Sequence, residues 1–190
     1  IKAQKPFALI VNCSDSRVAP ELIFNTFLGE LFVIRTAGNV INEGELASIE
    51  YGIEHLNIKY CWVLGHTHCG AVHASIHKEK GKYLSCILDN ISKQIKDEKD
   101  EYISTCKNAI GQVKYLKEHG LKVDVIYGAR NKDLLLIQDK IEEVSNQVFY
   151  VTDDGTFGIK GNVCDALEAH IKDYDICVAI GPVIMMKYVS

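Results

Sequence analysis

The sequence predicts an α/β fold in which a mostly parallel β-sheet carries helices on both faces. Short apolar runs alternate along the chain with segments whose apolar residues recur at helical spacing. The runs are apolar throughout, which is typical of strands buried on both faces. Hydrophobic residues make up 47% of the 190 residues and only 3 are proline, so the composition allows a substantial core. Strands and helices that alternate in this way form βαβ units.

Six strands are predicted from the apolar runs. They are FALIVNC at 7–13, LFVIRTA at 31–37, CWVLGH at 61–66, VDVIYGA at 123–129, VFYVTDD at 148–154 and ICVAIGP at 176–182. Ligands of parallel sheets bind beyond the carboxyl ends of the strands. Polar residues that directly follow a predicted strand are therefore the first candidates for a functional site.

Helices are predicted between these strands. The first is PELIFNTFL at 20–28, which begins near Pro20 because proline is favoured in the first turn of a helix. A long, charged helix is predicted from about Glu98 to Glu118, and Gly120 is a typical stop signal after it. The remaining predicted helices are ELASIEYGIEHL at 45–56, YLSCILDNISKQI at 83–95, LLLIQDKIEEV at 134–144 and a segment near 162–171.

The charge and the cysteines exclude several classes of protein. A net charge of −4 gives no bulk basicity for binding nucleic acid or anionic lipid. No apolar run approaches the roughly 20 residues that span a bilayer. Seven cysteines, an odd number, argue against a secreted disulfide framework and for a reducing compartment. We therefore expect a cytoplasmic protein without nucleic-acid or membrane partners.

Two polar clusters follow predicted strands and carry metal-binding residue types. Cys13, Asp15 and Arg17 follow the first strand, and His66 and Cys69 follow the third. If these strand ends are neighbours, two thiolates and one imidazole converge, and three such ligands are typical of a catalytic zinc site with one open position.

Two other interpretations of the first cluster stay open. Cys13 alone can be an ordinary packing residue. A thiolate nucleophile with an anion-binding arginine is a second alternative, but phosphatase-type loops place five residues between the two, whereas three residues separate Cys13 from Arg17.

Four motifs, from about Pro6 to Asn108, together resemble the β-class carbonic anhydrases. They are CSDSRVAPELIF, ELFVIRTAGNV, SIEYGIEHL and VLGHTHCGAV. The resemblance implies a lyase that interconverts carbon dioxide and bicarbonate, and a homodimer or larger oligomer. It also implies that zinc is bound by Cys13, His66 and Cys69.

The same resemblance implies that Asp15 and Arg17 form a catalytic pair. Zinc makes water a nucleophile near neutral pH. Asp15 would orient that water, and Arg17 would keep Asp15 ionised, since a paired carboxylate has a lowered pKa. In some relatives this aspartate instead closes onto zinc as a fourth ligand, so an open and a closed state are both possible for Asp15.

The remaining residues near the motifs are assigned to a turn, to a close approach of the backbone and to the protein surface. Gly38 and Asn39 form a predicted tight turn that lines the substrate site, and Gly70 is expected to let the backbone approach the metal. His68 either relays protons or is an exposed spacer, and the spacer is favoured. His73 and His77 are interpreted as surface residues of a helix.

The second half, from about Gly111 to Ser190, resembles a different family. TDDG, GIKG and AIGPVIMMK are similar to the nicotinamide-nucleotide lobe of ferredoxin reductase-like flavoproteins, nearest to the electron-transfer subunit of dihydroorotate dehydrogenase. The resemblance would imply nucleotide contacts near Arg130, Asp153, Asp154, Gly181 and Pro182. No glycine-rich pyrophosphate loop precedes Val113, so the two aspartates are interpreted first as a turn.

The two resemblances predict a chimeric chain. Residues 1–110 are expected to form a carbonic anhydrase-like zinc domain and residues 111–190 a nucleotide-lobe-like segment, with the seam at 106–117. VDVIYGA is expected to complete the sheet of the first domain. Two alternative functions are a nicotinamide-nucleotide-binding fragment of a flavin oxidoreductase and a zinc-binding module without catalytic activity.

Overall fold

Two parallel, three-stranded β-sheets organise the part of the chain that the computed structural model describes, residues 2–121, 125–135, 138–145, 147–161 and 166. The strands in chain order are β1 (Ala8–Cys13), β2 (Leu31–Thr36), β3 (Cys61–Leu64), β4 (Val125–Ala129), β5 (Val148–Thr152) and β6 (Ile159–Lys160). The first sheet has the order β2-β1-β3 and the second has the order β4-β5-β6. The predicted α/β class is confirmed.

The helices lie close to where the sequence predicts them, but α1 and α6 are shorter than predicted. They are α1 (Pro20–Ile23), α2 (Glu43–Leu56), α3 (Gly70–Ile76), α4 (Ser85–Ile95), α5 (Glu101–Glu118) and α6 (Gln138–Val144). The prediction carried α1 beyond residue 23, but Asn25 has a left-handed φ of 52°, and this conformation cannot continue a right-handed helix. No helix of the described residues is both long and apolar enough to cross a bilayer.

Strand β1 is the centre of the core. All six of its residues are buried, because it has β2 on one side and β3 on the other and helices on both faces. Ala8 and Ile10 pack in one apolar cluster with residues of α3 and α4. Leu9 and Val11 pack in a second cluster with residues of α2 and α5. The alternation of side chains along a strand thus divides the core into two layers.

The expectation that VDVIYGA completes the first sheet is wrong for the residues that the structure describes. Strand β4 pairs with β5, starting at Val125 opposite Val148, and within the described ranges no ladder joins the two sheets. Helix α6 connects β4 to β5 as a crossover, which gives β4 a parallel neighbour close in sequence. An apolar pattern predicts a buried strand but does not select its partner. The predicted strand at 176–182 and helix near 162–171 lie outside the described residues.

The second sheet is joined to the first through helix α5. Val113 and Leu116 of α5 belong to the same apolar cluster as Ile141 of α6, and Tyr127 and Val148 pack against that cluster. The carboxyl ends of β1 and β3, on the other side of this packing, are left free to carry the functional residues.

Candidate metal centre

The carboxyl ends of β1 and β3 bring Cys13, His66 and Cys69 together. Cys13 is the last residue of β1, His66 follows the end of β3, and Cys69 directly precedes α3. One ligand atom from each of these residues lies within 4.8 Å of the other two. Because β1 and β3 are adjacent parallel strands, segments 53 residues apart in the sequence, from Cys13 to His66, end at the same edge.

The spacing of the two sulfurs fits a tetrahedral metal ion. The Sγ atoms of Cys13 and Cys69 are 3.9 Å apart. Two zinc–sulfur bonds of about 2.3 Å at a tetrahedral angle would place the sulfurs about 3.8 Å apart. The thiolate pair therefore already has the separation that zinc requires.

His66 presents an unused nitrogen at the same place. Its Nδ1 lies 3.0 Å from the carbonyl oxygen of Thr67, and its Nε2 is buried without a hydrogen-bond partner. A ring whose Nδ1–H donates to a carbonyl has a lone pair on Nε2, the arrangement found in histidine ligands of metals. A buried polar atom without a partner is costly, and a metal ion bound by Nε2 would remove that cost. The residues present fit zinc.

The electrostatics of the sulfurs also favour a cation. Hydrogen bonding from Cys69 lowers the pKa of Cys13, and donation from the backbone N–H of Gly38 adds to this effect, whereas burial opposes it. The same pairing with Cys13, together with burial, raises the pKa of Cys69. The two sulfurs therefore compete for one proton, and a metal ion would hold both as thiolates.

Asp15 is held by Arg17 in a two-pronged ion pair. Arg17 Nε donates to Asp15 Oδ1 at 2.9 Å and Nη2 donates to Oδ2 at 2.6 Å. The backbone N–H of Arg17 also donates to Oδ1, at 2.9 Å. These hydrogen bonds hold the pKa of Asp15 well below its usual range. Within the described residues, the group that could hold a metal contains three residues and not Asp15, which is the arrangement expected of the open state.

Arg35 is a residue of the site that the sequence analysis missed. Its Nε donates to the carbonyl oxygen of Cys13 at 3.1 Å and its Nη2 to the carbonyl oxygen of Asp15 at 2.6 Å. Arg35 lies in β2 opposite Asn12, so it fixes the backbone of the loop that leaves β1. The sequence did contain a signal for this role, since Arg35 is a charged residue near the end of an otherwise apolar strand.

Gly38 and Asn39 lie beside the cluster, as the predicted turn requires. The N–H of Gly38 donates to Cys13 Sγ at 3.2 Å, and both residues are buried with φ angles of 68° and 47°. The Nδ2 atom of Asn39 is buried without a partner. A side chain at Gly70, by contrast, would meet no other atom within 4 Å, so the protein atoms give no steric reason for glycine there.

A carboxylate that the sequence analysis did not single out links the histidines outside the cluster. Glu101 at the start of α5 lies 2.6 Å from His73 Nδ1 and 3.6 Å from His68 Nδ1. The hydrogen bond from His73 lowers the pKa of Glu101. The rings of His73 and His77 are 4.3 Å apart. His68 is exposed, as the spacer interpretation predicts, whereas His73 joins α3 to α5 in addition to facing solvent.

In the second half, the predicted nucleotide contacts form a turn at the ends of β4 and β5. The N–H of Asp154 donates to the carbonyl oxygen of Arg130 at 3.2 Å, and that of Asp153 donates to the carbonyl oxygen of Ala129 at 3.1 Å. Asp154 Oδ1 accepts hydrogen bonds from both N and Oγ1 of Thr156, which is a typical turn role for aspartate. Two further predicted contacts, Gly181 and Pro182, lie outside the described residues.

Comparison with known proteins identifies relatives of the segment that carries the metal centre. A family model described as carbonic anhydrase matches residues 8–145. Over 73 residues, the chain is 55% identical to carbonic anhydrase 2 of Mycobacterium tuberculosis, a match that covers 38% of this chain and 35% of that protein. The chain therefore spans about a third of the length of that curated relative.

The fold has a counterpart among solved structures. The β-carbonic anhydrase CcaA superposes with a TM-score of 0.54 at 26% identity, and the match covers 78% of this chain and 70% of that chain.

A second similarity involves another class of protein. Over 77 residues, the chain is 47% identical to a dihydroorotate dehydrogenase B electron transfer subunit homolog of Thermotoga maritima, which covers 40% of this chain and 27% of that protein. This match agrees with a resemblance of part of the chain to that class of protein. The carbonic anhydrase match, however, continues to residue 145, well past the expected boundary at residue 110.

Proposed function

The chain belongs to the carbonic anhydrase family, and on that premise we propose that it is a zinc enzyme that interconverts carbon dioxide and bicarbonate. The observation that carries the proposal is the convergence of Cys13, His66 and Cys69, with sulfurs 3.9 Å apart and an unpartnered, buried imidazole nitrogen. Cys13 Sγ, Cys69 Sγ and His66 Nε2 would hold the zinc ion. When bound, zinc supplies the Lewis acidity that makes water a nucleophile near neutral pH.

Asp15 would orient the attacking water. An ionised carboxylate has about four acceptor positions. Oδ1 receives two hydrogen bonds from Arg17, whereas Oδ2 receives one. One acceptor position on Oδ2 is therefore left for a water, and a hydrogen bond there would fix the direction of the water's lone pair.

Arg17 would act as the anchor of Asp15. Besides its two bonds to the carboxylate, Arg17 Nη2 donates to the carbonyl oxygen of His68 at 3.0 Å. It thereby connects the loop after β1 to the loop that carries His66 and Cys69. Since Arg17 occupies both oxygens, Asp15 would approach the metal only if this ion pair broke, which supports the open state for the arrangement described here.

We also propose a homodimer or larger assembly in a reducing cytoplasm. Leu22, Phe27 and Leu28 are 78%, 79% and 81% exposed, and large exposed apolar side chains are typical of surfaces that bind a partner.

Cys13, Cys69, Cys86 and Cys106 carry free thiols, which supports a reducing compartment.

The decisive experiment measures zinc content and stopped-flow hydration of carbon dioxide in the wild type and in Asp15→Asn. The proposal predicts about one zinc per chain in both proteins and hydration activity that falls by about 100-fold in the variant, as expected when a reactant is no longer oriented. Bound zinc without any hydration activity in the wild type, even at alkaline pH, would indicate a zinc module without catalytic activity.

The match to the Thermotoga maritima protein favours a second candidate function, nicotinamide-nucleotide binding by the second half of a chimeric chain. Arg130, Asp153 and Asp154, at the ends of β4 and β5, would contact the nucleotide. Titration with NADH, followed by its fluorescence, tests this role. Saturable binding that Arg130→Ala weakens would support it, and no binding at millimolar NADH would reject it.

A further inference from the structure

A buried network of carboxamide side chains connects α5 to the loop beside the metal centre. Asn108 and Gln112, one turn apart on α5, are both 0% exposed. Asn108 Nδ2 donates to the carbonyl oxygen of Gly38 at 2.8 Å. Gln112 Oε1 accepts from the N–H of Ile41 at 2.9 Å, and its Nε2 donates to Asn108 Oδ1 at 3.1 Å and to Asn90 Oδ1 at 3.0 Å.

Asn108 and Gln112 are polar side chains at fully buried positions of α5. Burial of a carboxamide is costly unless hydrogen bonds compensate for the loss of water, and an apolar residue at either position would fill the same face of the helix. Here the Oδ1 and Nδ2 atoms of Asn108 and the Oε1 and Nε2 atoms of Gln112 all have partners. The partners on the far side of the network are main-chain groups of residues 38 and 41. The network therefore fixes the position of that loop.

Gly38 is the point at which this loop meets the metal centre. Its carbonyl oxygen accepts from Asn108, and its N–H donates to Cys13 Sγ at 3.2 Å. Its φ of 68° favours glycine, and a Cβ there would lie only 2.7 Å from Ile91 Cδ1. The loop is thus packed tightly from one side and hydrogen-bonded to α5.

We propose that Asn108 and Gln112 are positioning residues of the metal centre, which hold the loop so that the Gly38 N–H stays directed at the Cys13 sulfur. An N–H donor withdraws electron density from a thiolate, and hydrogen bonds of this kind tune how strongly a ligand binds its metal. The inference rests on the proposed function, because it takes Cys13 to be a metal ligand.

Cobalt substitution tests the proposal, because thiolate-to-Co²⁺ charge-transfer absorption reports the electron density on the sulfur. Asn108→Leu and Gln112→Met remove the hydrogen bonds at similar side-chain volume, and Asn108→Ala removes the donor to Gly38 without adding bulk or charge. Ser75→Ala is the matched control, since it removes a buried hydrogen bond, from Ser75 Oγ to the carbonyl oxygen of Leu88, that has no contact with the loop.

In the folded variants at positions 108 and 112, we expect the charge-transfer band to move to lower energy and the zinc affinity to fall by roughly 10- to 100-fold. Ser75→Ala should keep the wild-type band and affinity. A wild type that binds Co²⁺ through thiolates, with folded Asn108→Ala and Gln112→Met proteins that keep its band and affinity, would overturn the inference. A wild type without any thiolate-to-cobalt band would overturn the proposed function itself.

Discussion

At the scale of single residues, the charge of each functional group is set by its neighbours. The pKa of Asp15 is lowered and its carboxylate is fixed in position because Arg17 binds both of its oxygens. Cys13 is the more acidic of the two cysteines because Cys69 Sγ hydrogen-bonds to its sulfur at 3.9 Å and the Gly38 N–H donates to it. His66 has one nitrogen committed to a backbone carbonyl and the other unpartnered. The contacts of Cys13 join residues far apart in sequence, whereas the contacts of Asp15 with Arg17 and of His66 with Thr67 are local.

Arg17→Gln tests whether Arg17 acts by holding the Asp15 carboxylate in place or by keeping it ionised. Without Arg17, the pKa of Asp15 should rise from its lowered value toward about 4, the usual value for aspartate, which still leaves Asp15 ionised at neutral pH. We therefore expect hydration activity to fall by about 100-fold across pH 6–9, with zinc content unchanged. Stopped-flow profiles check this, and a loss confined to the acidic end would contradict the positional role.

Among the elements, the loop at 37–41 is the most constrained segment near the metal centre. Gly38→Ala would force a non-glycine residue to a φ of 68° and place its Cβ 2.7 Å from Ile91 Cδ1. We expect a loss of roughly 1–3 kcal/mol in the free energy of unfolding. Ile91→Val removes the nearest atom, so the double variant should be more stable than the sum of the two single losses predicts. Urea denaturation measures the free energy of unfolding of the wild type, the two single variants and the double variant. If the loss in the double variant equals the sum of the two single losses, the steric explanation is wrong.

Helix α5 is anchored near its start by an ion pair that should depend on pH. Lys107 Nζ lies 2.7 Å from Glu98 Oε2, and this contact, together with the backbone N–H groups of Lys99 and Asp100, lowers the pKa of Glu98 to about 2. Because the folded-state pKa lies below the unfolded value, the stabilisation is present above about pH 4.5 and is lost as the pH falls toward 2. Thermal melting of Glu98→Gln should therefore differ from the wild type at neutral pH and converge with it in acid. A constant difference in melting temperature would contradict this assignment.

The sequence predicted where the strands and the metal-binding residues lie better than it predicted which strands pair and which distant side chains contact them. Strands β1 to β3 are apolar runs and were found with small errors at their ends. Cys13, His66 and Cys69 were found because polar residues directly follow buried strands. The pairing of β4 with β5, the bonds of Arg35 to the backbone after β1 and the position of Glu101 between two histidines were missed. Each depends on which distant segment lies beside it, and local periodicity carries no information on that choice.

At the scale of the whole molecule, helix α5 crosses the boundary that the sequence suggests between two domains. It runs from Glu101 to Glu118, so a division at residue 110 falls in its middle. Beyond that point, Val113 and Leu116 are 2% and 0% exposed and pack in the core of the first sheet. The two halves of the chain therefore share one apolar cluster, whatever their separate resemblances.

Truncation tests this continuity. A fragment that ends at residue 110 loses the burial of Val113 and Leu116, at about 1.5–3 kcal/mol for each side chain, a large share of the 5–15 kcal/mol that stabilises a typical domain. We expect it to lack a cooperative thermal transition, whereas a fragment that ends at residue 121 keeps all of α5 and should melt cooperatively. Circular dichroism compares them, and cooperative melting of the shorter fragment would contradict a shared core.

The sulfurs of Cys13 and Cys69 and the imidazole of His66 would together hold one cation, and X-ray absorption at the zinc edge of the loaded protein identifies those ligands. The predicted spectrum contains two sulfur scatterers at about 2.3 Å and a nitrogen shell at about 2.0–2.1 Å. Cys13→Ser should lose one sulfur scatterer or all bound zinc, whereas a serine in place of the exposed Cys86 should leave the spectrum unchanged. A zinc ion surrounded only by nitrogen and oxygen in the wild type, or two sulfurs retained in Cys13→Ser, would contradict the claim.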